Sequence, residues 1–235
     1  MGSRGVIGVM GASGGVGTTS VVAGLGSAAV RRGHPVTCLD GQPVGGGLDV
    51  VCGADDQPGL RWGQLRRARG ELPVEQLLAA LPTAGRMRVL TQDRHRPVEL
   101  TAAAVEAVIG AISRASQLCL VDLPPMWHPG FAAWRGVVSQ VLLVCSDDVV
   151  GLAAAAAVAP GVQQRVDCPV WLVQRRARCD LAELVARTLE LPLAGVVPED
   201  SRVRRELTRG RPPGAVGGPF ARACEHILST IEPGS

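Results

Sequence analysis

The stretch Gly5-Val6-Ile7-Gly8-Val9-Met10-Gly11-Ala12-Ser13-Gly14-Gly15-Val16-Gly17-Thr18-Thr19-Ser20 decides the fold. A short apolar run breaks into a glycine-rich turn, and the turn opens Thr19–Arg32, where Val, Ala and Leu recur as in a buried helix. Strand, glycine turn and helix in that order aim backbone N–H groups and the positive end of a helix dipole at an anion. Ser13, Gly14, Gly15, Val16, Gly17, Thr18, Thr19 and Ser20 are therefore candidate phosphate-binding residues. A glycine-rich turn can also be a mere packing device; the strand before it and the helix after it favour the phosphate reading.

The same alternation continues along the chain. Apolar runs at Val36–Leu39, Arg88–Thr91, Gln117–Val121, Val141–Cys145, Val170–Val173 and Ala194–Val197 read as strands covered on both faces. Between and after them, Val74–Leu81, Thr101–Ser113, Val150–Val158, Asp180–Leu189 and Pro219–Ile231 read as helices. The pattern predicts one α/β domain over residues 1–235, a mostly parallel doubly wound sheet with helices on both faces. At 235 residues such a chain can bury a full core. In a sheet of this kind ligands bind beyond the carboxyl ends of the strands. Two of those ends carry aspartates, Leu39-Asp40 and Val121-Asp122. With the Thr19 hydroxyl, Asp40 and Asp122 form a candidate Mg²⁺ set, although either carboxylate could instead cap a helix or form a turn.

Composition narrows the chemistry. Lys, Asn and Tyr are absent and all 24 basic residues are Arg. The net charge of +3 gives no strong field toward nucleic acid or anionic membranes. The seven cysteines contain no CxxC pair and mostly sit in apolar runs, which predicts reduced, buried thiols. The four histidines lack metal-ligand spacing, and Trp127-His128 reads as loop packing. No apolar stretch reaches the roughly 18 residues of a membrane span, and the run Gly5–Met10 passes straight into the glycine turn rather than reading as a signal peptide. These features place the chain in the cytoplasm. The start Met1-Gly2-Ser3 is compatible with a chain cut from a longer protein.

Ser13-Gly14-Gly15-Val16-Gly17-Thr18-Thr19 resembles the deviant Walker A loop KGGVGK[ST] of the MinD/ParA family of P-loop proteins. Further resemblances follow in order: Asp40-Gly41-Gln42-Pro43 with Gly47-Leu48-Asp49 to switch I, Asp122-Leu123-Pro124 to switch II, Leu172-Val173-Gln174-Arg175 to the adenine-side element, and Val197-Pro198-Glu199-Asp200 to the late turn. Gly45–Asp49, Gly59–Trp62 and Leu191–Gly195 are similar to the CpaE/TadZ-like branch, including actinobacterial septum-site-determining proteins. The resemblance implies a nucleotide switch binding ATP or ADP with Mg²⁺, with Gln174 and Pro198 toward the base and Asp40, Gln42 and Asp122 at switch positions. It further implies a homodimer and protein partners in cell division or in Tad-type pilus or secretion assembly, and leaves peripheral membrane association open.

The departures are as specific as the matches. The two family lysines fall on Ser13 and Thr18, the second switch I aspartate on Gln42, and the adenine-side Asn on Gln174. Two lost lysine contacts forfeit roughly 3–6 kcal/mol, or about 10²–10⁴-fold in affinity or rate. The expectation is a degenerate switch that binds nucleotide weakly or not at all and is not an active ATPase. An Arg from elsewhere, such as Arg175 or Arg178, could compensate in part for the missing charge, although nothing in the sequence shows that it does. A functional Mg-ATPase of the family is the alternative reading.

Three rivals remain. The glycine spacing also suits a short-chain dehydrogenase, but a chain without Tyr or Lys lacks that family's proton-transfer pair. Arg61, Arg66, Arg67 and Arg69, and Arg202, Arg204, Arg205, Arg209 and Arg211, form clusters that a nonspecific DNA binder could use; short Arg runs are more often solvated faces, and DNA is not the expected partner. The last helix places Phe220, Cys224, Ile227, Leu228 and Ile231 at helical spacing, which reads as a core-facing rather than a membrane-facing stripe.

Overall fold

The computed structural model describes residues 5–43, 47–115, 118–176 and 179–231. The expected positions Gly45, Gly46, Gln117 and Arg178 lie outside them, as do the first residues Met1-Gly2-Ser3. The opening strand β1 (Val6–Gly11) sits mid-sheet, hydrogen-bonded in parallel to β5 (Leu118–Asp122) and β6 (Gln140–Ser146). Beyond β5 lie β2 (Val36–Asp40), β4 (Met87–Leu90) and the two-residue β3 (Thr83–Ala84); beyond β6 lie β7 (Val170–Arg175) and β8 (Leu193–Val197). The order is β3-β4-β2-β5-β1-β6-β7-β8, and only β3 runs antiparallel.

Alternating side chains of each strand feed two cores. Val6 and Met10 of β1, Cys119 and Val121 of β5, and Val141 and Leu143 of β6 pack on one face. That face is covered by α4 (Val74–Ala80), α5 (Ala102–Ala115), α6 (Val149–Gln163) and α7 (Cys179–Thr188). Ile7 and Val9, Leu118 and Leu120, and Leu142 and Val144 pack on the other, beneath α1 (Thr18–Arg31), α2 (Leu48–Cys52) and α9 (Pro219–Ile231). Continuous apolar strands are what a sheet covered on both faces requires.

Helix α1 is buried from Val21 to Ala29 because α9 lies over it. A Cβ on Gly24 would collide with the Phe220 ring and with Cys224 Sγ, and one on Gly26 with the Met87 and Cys38 sulfurs. Glycine costs a helix interior about 1 kcal/mol relative to Ala, and here it permits the close approach of helix to helix and helix to sheet. The expected core stripe of α9 is accordingly buried in full: Phe220, Cys224, Ile227, Leu228 and Ile231 are each no more than 4% exposed. Arg31 Nε meets Glu225 Oε1 at 2.8 Å on the same seam.

Several elements depart from the sequence reading. The short helices α2, α3 (Trp62–Leu65) and α8 (Ser201–Thr208), the 3₁₀ turn Pro129–Ala133 and β3 were not expected. Helix α6 runs through Pro160 to Gln163 instead of stopping at Val158. The cysteine expectation needs one correction. Cys38, Cys52, Cys119, Cys145 and Cys224 are buried, but Cys168 is half-buried and Cys179, at the start of α7, is exposed. No helix among the described residues is long and apolar enough to cross a membrane.

Candidate functional site

The glycine-rich loop forms where β1 ends. Gly15 and Gly17 take positive φ, 75° and 88°, which a side chain would strain. Gly17 is the N-cap of α1 and supplies no side-chain acceptor, so the first-turn N–H groups are left for a ligand. The Ala12 N–H donates to Val144 O at 2.8 Å and pins the loop to β6. Ser13, Gly14, Gly15, Gly17, Thr18 and Thr19 then line a cavity of about 390 Å³, closed on its other side by Gln42, Leu123, Pro125 and Trp127. Among the described residues no basic side chain lines it. Val16 packs instead against the α1-side core, and Ser20 continues the helix.

Register brings the two aspartates together. Asp40 and Asp122 are direct partners across the β2–β5 ladder, each 1% exposed. Thr19 Oγ1 donates to Asp122 Oδ2 at 2.6 Å, and the Gln42 amide donates to Asp122 Oδ1 at 3.1 Å and to Leu123 O at 2.8 Å. Asp40 Oδ1 accepts from the Gln42 N–H at 2.9 Å, while its carbonyl accepts from Trp62 Nε1 at 2.8 Å. Burial, and then the neighbouring Asp122, push the Asp40 carboxyl up to about 7. Burial pushes Asp122 to about 6, opposed by the bonds from Thr19 and Gln42. Donors sit on both Asp122 oxygens, so Asp122 is the better holder of negative charge and Asp40 of a shared proton.

This donor set suits Mg²⁺: a hydroxyl and two carboxylates are hard oxygen ligands, and Mg²⁺ retains water and phosphate oxygens for its remaining positions. Among the described residues no group of three His, Cys, Asp or Glu side chains could hold a metal alone, so a cation here depends on the phosphate.

On the far side of the loop, the end of β7 delivers Gln174 and Arg175. Gln174 is fully buried, with neither amide atom partnered. Arg175 Nη1 reaches Val16 O at 3.4 Å, and a Cβ on Gly17 would collide with it. Arg175 also borders a second cavity of about 620 Å³, with Glu199, Asp200, Val203 and Phe220, beyond Pro198. Asp49 of the switch I resemblance lies apart, paired with Arg94 at 3.1 Å. Trp127, read as loop packing, is 64% exposed on the cavity rim, whereas His128 Nδ1 does accept from Gly130 N and caps the 3₁₀ turn. Two site features escape sequence reasoning: the Gln42 bonds, and the contact that sets Arg175, named from the sequence only as a candidate charge, against the loop at Val16 O. No local pattern encodes either one.

No protein-family model matches the chain. An uncharacterized protein of Mycobacterium tuberculosis is 36% identical over 207 residues, 87% of this chain, and the chain spans 57% of that relative's length. The chloroplastic septum site-determining protein minD homolog of Arabidopsis thaliana is 23% identical over 92% of this chain and 72% of its own length. Among solved structures, MinD of the Aquifex aeolicus MinC:MinD cell division complex superposes with a TM-score of 0.80 at 20% identity, covering 98% of this chain and 96% of that one. The Pyrococcus horikoshii septum site-determining protein MinD complexed with Mg-ADP gives 0.79 at 18%, covering 97% and 96%. The chain has the MinD/ParA fold. The glycine loop and the Asp40–Asp122 pair occupy the carboxyl edge of the MinD/ParA-type sheet, where ligands of such sheets bind.

Proposed function

We propose that this chain is a degenerate MinD/ParA-type nucleotide switch of the CpaE/TadZ-like branch, one that binds a nucleoside phosphate without turning it over at an enzymatic rate. Its work would be spatial organisation through protein partners, in septum placement or in Tad-type pilus or secretion assembly. The observation that carries the reading is the cavity itself: the glycine loop lines it, no basic side chain among the described residues does, and Gln42 closes it where a water-positioning carboxylate would be needed. Without fixed charges on the transferred phosphoryl group, the electrostatic stabilisation on which such transfer depends is small.

The test is hydrolysis of Mg-ATP against a buffer control, with rates expected to be indistinguishable. Turnover near one per minute that Asp122→Ala abolishes would establish the alternative, a functional ATPase. Similarity to MinD from a MinC:MinD complex supports a cell-division partner. A homodimer of this chain would rest on contacts formed without nucleotide, so light scattering should give the same mass with and without Mg-ATP.

A further inference from the structure

We propose that Arg175 is the cation that holds the phosphate chain at this loop, entering from the flank of the glycine turn rather than from within it. The inference rests on the nucleotide reading above and names the residue that makes the site work in a chain without lysine. Among the described residues Arg175 is the guanidinium that meets the loop: Nη1 lies on Val16 O and fills the space beside Gly17 that a Cβ would need. Its neighbour Arg176 points away into an ion pair with Glu199 at 2.8 Å. Arg175 has no such acidic partner among the described residues, and its buried Nε has no hydrogen-bond acceptor.

A half-buried guanidinium with one long bond to a carbonyl and an idle Nε–H is an unfinished arrangement. Five donors are fixed in a plane, and a phosphate oxygen on the Gly17 side of the wall would accept from that fork bidentately. Burial, and then the neighbouring Arg176, lower the Arg175 pKa, with Glu199 opposing, so a bound anion would relieve the cation. Its position between the loop cavity and the cavity bordered by Val203 and Phe220 suits a ligand with phosphates at one end and an apolar ring at the other, a nucleoside polyphosphate.

The experiment is calorimetric titration of the folded chain with adenosine, ADP and Mg-ATP, for the wild type, Arg175→Gln, Arg175→Lys, Arg176→Gln and Thr18→Lys. Arg175→Gln should weaken ADP and Mg-ATP about 10- to 100-fold, the worth of a charge-assisted contact, and leave adenosine unchanged. Arg175→Lys should fall between, and Arg176→Gln should match the wild type. A structural role for Arg175 would weaken all three ligands alike and would overturn the inference. If Arg175→Gln fails to fold, Arg175→Lys carries the test: a polyphosphate loss absent for adenosine supports the assignment, and equal affinities overturn it. Wild type that binds no nucleotide while Thr18→Lys binds it overturns the role of Arg175 and leaves the loop as a phosphate cradle. Failure of both to bind overturns the cradle as well.

Discussion

Gln42 donates its side-chain amide to Asp122 Oδ1 at 3.1 Å, and so ties the loop after β2 to the end of β5 across 80 residues of sequence. A carboxylate at position 42 would face Asp122 with like charge; the amide instead supplies donors to Asp122 and to Leu123 O. With Thr19 on the other oxygen, Asp122 is satisfied before any cation arrives.

Gln42→Ala removes two donors from a buried carboxylate and a carbonyl, and should cost about 1–3 kcal/mol. Thermal unfolding should fall by a few degrees in a chain of this size. Gln42→Glu should cost more at pH 8, because it sets a second carboxylate against Asp122. Equal melting of both variants and the wild type would remove the latch from consideration.

Gly15 and Gly17 hold the loop in its turn and no described basic side chain lines its cavity, so charge can be added to it. Thr18→Lys should improve Mg-ATP affinity roughly tenfold or more. Hydrolysis should appear only when Ser13→Lys and Gln42→Asp are added. Turnover by the single variant would mean that neither position 13 nor position 42 limits the chemistry.

Stability should depend on pH through Asp40. Its carboxyl titrates near 7 when folded and near 3.8 when unfolded, so between those values the native state holds a proton that the unfolded chain releases. The resulting stabilisation is complete below about pH 4 and is lost as pH rises through 7, on the order of a few kcal/mol. Asp40→Asn should therefore gain on the wild type as pH rises from 5 to 8, measured by urea unfolding. A pH-independent difference would contradict the burial of an ionisable pair.

Thiol labelling should fall into three classes. Burial pushes Cys119 and Cys224 up to about 12 and Cys145 to about 11, so these thiols are protonated as well as inaccessible. Cys179 should react at once under native conditions, Cys168 slowly, and the five buried thiols only after unfolding.

The sheet was legible because its strands are apolar throughout, and the loop because its glycines follow a strand and precede a helix. Helix α8 was not, since only Val203 and Leu207 of Ser201–Thr208 are apolar, a single i, i+4 pair within a strongly charged stretch. Its anchor is the buried Glu206 carboxylate, which accepts from Gly214 N and Val216 N at 2.8 Å each. Strand β3 is only two residues long and makes no periodicity. In the site, Asp40 and Asp122 were legible as strand ends, but their side-by-side register depends on β2 and β5 being neighbours. Arg175 reaches a loop 159 positions earlier, a contact fixed by sheet order alone.

The floor of the site also carries its own optical probe. Trp62 and Trp134 meet edge to face, their ring centroids 5.7 Å apart and their planes at 84°, with Trp62 bonded to the Asp40 carbonyl and Trp134 against Gly41. With no tyrosine and two phenylalanines in the chain, near-ultraviolet circular dichroism comes almost wholly from indole. Two coupled chromophores beneath the aspartate pair and one exposed indole, Trp127, at the mouth give floor and rim separate spectroscopic signatures, beside the half-buried Trp171 on β7. Events at the carboxylates would register in dichroism, and events at the entrance in emission.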